Sequence, residues 1–311
     1  MNFLSLLNSL PGAVAQGLIW GVMAIGLYIT YRVLDFSDLT VDGSITTGAC
    51  VCAILVVNGV SVWIAMILAF IAGMLTGLLT GIFHTAMGIP PILSGILTQL
   101  ILWSVNLKIL GKANVAVSSR NYDVILTQLN IPMAIAIVTV FVVIIIALLY
   151  MFFGTEIGCA LRATGNNERM SNAQGINVNL CKVLGLMIAN GLVALSGALF
   201  CQYQGYADIN MGRGAIVIGL AAIIIGRTLV SKISKNFAVK LLGAALGGVA
   251  YYVVFTFVIW LGLDTDLLKA LSAIVVAIFL AAPYLKKKYF TKVKIAPKAD
   301  KSSDKEVAKN A

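Results

Sequence analysis

The side chains able to do chemistry are few in this sequence and unevenly placed. Residues 154–180 read GTEIGCALRATGNNERMSNAQGINVNL and carry Glu156, Arg162, Glu168 and Arg169, with Lys182 just beyond. Long apolar runs lie on either side. A plain turn between two such runs needs only a few residues, and this stretch is far longer. It is also patterned, because Gly158, Ala160, Leu161, Ala163 and Ala173 are small or apolar. Arg162 and Arg169 lie seven apart, which puts them on one face if the stretch is a single helix. A short helix outside the bilayer with a paired basic face is a surface for gripping another protein. A long solvated loop is the alternative reading.

The chemistry that is absent is as informative. Nothing fits the phosphate-binding pattern G-x-x-x-x-G-K-[ST]. Gly111-Lys112 is the nearest fragment, but Ala113 follows it and Asn106 stands where the first glycine belongs. The chain therefore has no catalytic site for ATP of that type. The five cysteines, Cys50, Cys52, Cys159, Cys181 and Cys201, have no zinc-site spacing, and His84 is the only histidine, so neither a metal site nor a disulfide framework is expected. His84 reads as an interfacial residue at a helix end. No charged residue falls near the middle of an apolar run, which argues against proton-coupled transport and membrane-embedded enzymes.

Polar residues at membrane depth are uncharged: Thr46, Thr47, Ser94, Thr98, Gln99, Asn190 and Ser196. Each must find a hydrogen bond in lipid. Bonds between helices are one use. Thr46, Thr47, Thr98, Gln99 and Asn190 are candidates for lining a pathway for a small amphipathic solute.

These groups need elements to position them. The chain is 311 residues long, 60% hydrophobic and 11% charged, against about 25% charged in soluble domains. The fold class is all-α integral membrane, a helical bundle of nine spans near 12–32, 43–58, 61–83, 89–109, 131–153, 182–203, 213–230, 238–261 and 267–285. The second and seventh are short enough to be broken helices. Residues 1–10 read as an interfacial helix kept in the mature protein. Residues 1–285 form the membrane domain and 286–311 a disordered basic tail, with nine lysines against Asp300, Asp304 and Glu306. Such a tail beside a membrane helix touches anionic lipid, not nucleic acid.

Basic residues set orientation. With 154–180 and the tail in the cytoplasm, 17 of the 22 lysines and arginines lie inside. The N-terminus is then outside. Gly73, Gly77 and Gly81 are spaced four apart after Ala69, and Gly17/Gly21 and Gly243/Gly247 repeat the spacing. Small residues so spaced let helix backbones approach closely. Residues 38–44 (DLTVDGS) and 208–214 (DINMGRG) echo one another, each ahead of a short span, as in inverted-repeat transporters.

Gly158, Arg162-Ala163, Gly165, Asn166, Ala173 and Gly175-Ile176 resemble the cytoplasmic loop of ABC-importer permeases of the branched-chain amino acid and ribose superfamily. The likeness continues through LSGALFCQYQG at 195–205. A second match, IGLYITYRVLDFSDLTVDGSITTG at 25–48, resembles the first membrane helix of that family and the segment after it. Its Leu39-Thr40-Val41-Asp42-Gly43 departs from the branched-chain form toward a subgroup associated with aromatic amino acids. The resemblance implies a coupling helix, with Glu156, Gly158, Arg162, Ala163, Gly165, Asn166, Arg169 and Gly175 at the contact with a separate ATPase subunit. It also implies a second permease chain, an extracytoplasmic solute-binding protein, and ATP and Mg on the ATPase, none bound here. Gly165 is expected to permit a tight turn. A nucleoside or sugar importer and a sodium-coupled carrier are the competing readings.

Overall fold

The computed structural model describes residues 3–230 and 236–261, with 270, 273, 274, 277 and 281 beyond them. It is mostly helical. Helix α1 (Phe3–Tyr28) leads through a π turn (Ile29–Val33) and an extended stretch to α2 (Val41–Val57). Then come α3 (Val62–Thr85), α4 (Pro91–Leu110), α5 (Ile131–Phe152), α6 (Glu156–Asn166), α7 (Glu168–Ala173), α8 (Val178–Gln204), α9 (Ala215–Val230) and α10 (Phe237–Trp260). Among the described residues six helices are long and apolar enough to cross a membrane, and α2 and α9 are shorter apolar helices. Eight of the nine expected segments are thus occupied by helices. The ninth, 267–285, lies almost wholly outside the described residues, as does the tail.

Two details differ from expectation. Residues 3–28 form one helix running through Pro11, so 3–10 is no separate interfacial element; the leucine-rich start simply extends the helix. The fold is also not purely helical. Strand β1 (Asn114–Ala116) pairs antiparallel with β2 (Tyr206–Asp208), tying the connection after α4 to the end of α8.

Helix α8 is the axis of the bundle. Its glycines and those of its neighbours are the points of closest approach. Gly73 lies on the backbone of Asn190 and Gly191, Gly77 on the Leu186 carbonyl, and Gly81 on Val183. Helix α3 therefore runs antiparallel to α8, and a Cβ on its stripe would strike backbone. Gly26 on Ala189 and Gly12 near the Tyr203 hydroxyl make α1 antiparallel to α8 as well. Gly17 and Gly21 press on Val249 and Ala245 of α10, while Gly243 and Gly247 press on Gly226 and Ala222 of α9. Without a hydrophobic drive between helices in lipid, this close packing is what holds them together.

The short helices have a structural cause. After the π turn, Asp35 adopts a left-handed backbone with φ +53°, uncommon for a residue with a side chain. The chain turns there and re-enters the bundle through residues 36–40. Helix α2 then rises beside α8, with Ser44 at Asn190, Gly48 on Ala194 and Cys52 at Gln202. Helix α9 runs the opposite way, and its N-terminus abuts that of α2.

Candidate coupling surface and translocation cavity

The charged stretch forms a two-helix platform at one end of the bundle. Thr155 opens α6, its hydroxyl accepting from Gly158 N–H at 3.3 Å. Gly158 sits against the backbone of Phe152 and Phe153. Leu161 is fully buried and packs toward Gly185 of α8 beside Leu34. Gly165 is helical and faces the Val33 carbonyl and Leu34, where no Cβ fits. That glycine therefore serves close packing, not the expected turn. The turn belongs to Gly175, with φ +80° after α7, a left-handed conformation glycine adopts freely.

The single basic face is also corrected. Helix α6 ends at Asn166, and Asn167 is extended at φ −158°. Its side-chain oxygen accepts from Met170 N–H at 3.0 Å, capping α7. Asparagine favours caps over helix interiors because its side chain competes for backbone groups. Arg162 and Arg169 consequently lie on different helices. Arg162 packs sideways, with its guanidinium 4.4 Å from the Phe237 ring centre and 5.4 Å from that of Phe153. These contacts hold α6 to the ends of α10 and α5. Arg169 is exposed, as are Glu156 and Asn166, while Ala163 is half-buried. Ile157 and Met170 are 52% and 51% exposed among them.

Helix α7 is fixed by charge. Glu168 pairs with Lys182 at 2.8 Å, and Lys182 Nζ lies 3.3 Å from His84 Nε2. His84 Nδ1 is 2.8 Å from the Ile89 carbonyl. A carbonyl only accepts, so Nδ1 carries the proton and Nε2 accepts from Lys182. One platform helix is thereby tied to α8 and to the end of α3.

Deep in the bundle lies a second polar group. Asn190, at the middle of α8, donates to Asp38 Oδ2 at 2.7 Å and to the Leu186 carbonyl at 3.0 Å. Its oxygen accepts from Ser44 at 2.7 Å, which also pairs with Thr76. Asp38 Oδ1 accepts from Thr40 N–H at 2.9 Å. Thr40, Thr80 and Thr98 form a hydroxyl chain at 2.7 and 2.9 Å, ending on the Ser94 carbonyl at 3.0 Å. Sequence reading kept acidic residues out of the membrane interior. The structure instead carries Asp38 into it, because 36–40 folds back inside the bundle. Asp38 is 1% exposed.

Asp42 joins the two short helices. Its carboxylate accepts from Gly214 N–H at 2.9 Å and Ile216 N–H at 2.8 Å, the groups that the start of α9 leaves unpaired. Both helix N-termini present positive dipole ends toward this carboxylate. Here the echoing segments 38–44 and 208–214 meet. Beside them is a cavity of about 250 Å³ bordered by Thr46, Gln99, Trp103, Asn106 and Arg213. Of the candidate pathway residues, Thr46 and Gln99 border it. Thr47 bonds the Gly43 carbonyl, and Thr98 and Asn190 belong to the buried network. Sequence reading missed Asp42, Asn106 and Arg213. An aspartate in the first turn of an apolar helix was the available signal.

Among the described residues no cluster of metal-binding side chains exists, and all five cysteines are free. A family model for the permease component of branched-chain amino acid transport systems matches residues 10–281. The chain belongs to this family of ABC transporter permeases. Such permeases are transport components, not enzymes, and they work generally with an ATPase and a binding protein. A tyrosine transport system permease protein of Clostridioides difficile (strain R20291) is 39% identical over 301 residues, covering 96% of this chain and 99% of its own length. An uncharacterised protein of Rickettsia prowazekii (strain Madrid E) is 35% identical, covering 89% and 98%. A ribose import permease of Escherichia coli (strain K12) is 27% identical over 106 residues, about a third of each chain. No solved structure matches this permease.

Proposed function

We propose that this permease is the membrane subunit of an ATP-driven importer of amino acids, aromatic ones foremost. The observation that carries the reading is the platform of α6 and α7. It presents charge and exposed apolar side chains outward, while Leu161, Gly165 and the Glu168–Lys182–His84 contacts fix it to the π turn after α1, to α3 and to α8. A docked ATPase moving this platform moves the bundle axis. In this reading 154–180 is the coupling loop and faces the cytoplasm. The N-terminus lies outside, nine spans cross the membrane, and a second copy of the chain completes the pathway. The opposed short helices α2 and α9 are read as the broken helices of an inverted repeat. ATP and Mg bind the partner ATPase, and an extracytoplasmic binding protein selects the solute.

The substrate class rests on the relative whose printed name is a tyrosine permease, which matches almost end to end. Sugar and nucleoside permeases match over only about a third of the chain or at lower identity, so nucleoside or sugar import is the second reading. The test is uptake by the complete complex in proteoliposomes with ATP in the ATPase compartment. L-Tyrosine uptake that needs ATP and the binding protein supports the proposal. Uptake of ribose or uridine instead selects the second reading. Uptake driven by a sodium gradient without ATP overturns both.

A further inference from the structure

The cavity between α2, α4 and the 206–214 segment has a chemical character that neither the family nor its relatives assign. Asn106 is 1% exposed, and its side-chain oxygen has no hydrogen-bond partner. An orphan buried acceptor is costly unless something donates to it. Asp42 borders the same space, and each oxygen of its carboxylate uses one acceptor position on α9. A carboxylate oxygen has a second position to offer. Arg213, an exposed residue, also borders the cavity and forms no ion pair among the described residues. Trp103 and Ile209 supply an apolar wall.

We propose that this cavity is a transit site for the main-chain groups of an α-amino acid. The ammonium donates to Asn106 Oδ1 and the Asp42 carboxylate. The carboxylate takes the Arg213 guanidinium, for which paired N–H donors are suited. The side chain lies against Trp103 and Ile209. A neutral sugar offers neither the ammonium nor the carboxylate that these groups would take, so the same geometry discriminates between the two substrate classes. This inference rests on the amino acid reading above and adds a substrate-contacting site within the membrane subunit itself.

The test uses the full-length permease with its ATPase subunit in nanodiscs, without binding protein. It carries Cys159→Ser and Ile209→Cys, so that alkylation reports occupancy of the cavity. L-Tyrosine is expected to slow alkylation. Tyramine, lacking the carboxylate, and 4-hydroxyphenylpropionate, lacking the ammonium, should each be at least about tenfold weaker, because each loses one charge-assisted contact of the proposed site. Asn106→Leu and Arg213→Gln should each abolish protection. Equal protection by all three compounds overturns the assignment. So does its absence in a complex that still imports L-tyrosine, and the import reading then survives. Protection by ribose or uridine but not L-tyrosine overturns the assignment together with the amino acid reading.

Discussion

This permease concentrates its functional polarity in two places, and they are built in opposite ways. Around Asp38 and Asn190 every strong polar group is satisfied inside the bundle, by Thr40 N–H, Ser44 and the Leu186 carbonyl. On α6 and α7 the inward groups are satisfied, but Glu156, Asn166 and Arg169 face outward. A satisfied buried network specifies one packing and resists change. An outward-facing charged surface with exposed Ile157 and Met170 does little for the fold and suits a partner. Changes in the first region should therefore act on folding, and changes in the second on coupling.

The glycine seam beneath the network should give the largest effect. Gly77→Leu drives a side chain into the Leu186 carbonyl of α8. Overpacking costs about 1–3 kcal/mol where neighbours can shift, and backbone shifts little. Membrane-inserted protein is expected to be nearly absent, as checked by detergent gel filtration. Asp38→Leu should come next. It strands one N–H of the Asn190 amide and the Thr40 N–H, at about 1–3 kcal/mol for each buried unsatisfied group. A lowered Tm of the solubilised permease measures it. An unchanged Tm would mean that water reaches the network and that the two regions are less distinct than their hydrogen bonds indicate.

The platform variants should be milder on stability and harsher on transport. Asn167→Ala removes the cap of α7 at about 1 kcal/mol, seen as faster local amide exchange in 168–173. Arg162→Ala loses contacts with two rings, each worth about 0.5–1 kcal/mol at exposed sites. Its Tm should fall slightly, while binding-protein-stimulated ATPase activity and uptake fall steeply. Arg169→Ala should leave stability within about 0.5 kcal/mol yet release the ATPase subunit more readily on washing. If Arg169→Ala keeps its ATPase and transports normally, α7 stands outside the contact.

Much of this architecture was legible in the sequence. Apolar runs placed the eight described segments, seven of them within a few residues and the first too short at its start, because a helix in lipid must satisfy its own backbone and stay apolar along its length. The stripe Gly73, Gly77, Gly81 was legible for the same reason, since spacing alone puts three small residues on one helix face. What was not legible depended on tertiary context. Gly165 reads equally as turn or packing residue until Val33 is placed against it. The break at Asn167 splits a face that the seven-residue spacing of Arg162 and Arg169 had joined. Asp38 and Asp42 resembled loop acids, because re-entry of 36–40 between helices leaves no periodic mark. Asn106 announced nothing, since a missing partner is a property of the fold alone.

The claim that α6 and α7 form the ATPase contact can be tested with a native side chain. Cys159 lies on α6 and is exposed, whereas the other four cysteines are buried. A maleimide-linked photo-crosslinker attached there, in the assembled complex, should join the permease to the ATPase subunit on illumination. The same reagent at Arg120→Cys in a Cys159→Ser background, on the connection between α4 and α5, should reach the binding protein and never the ATPase. Cross-linking to the ATPase from Arg120→Cys but not from Cys159 would contradict the account.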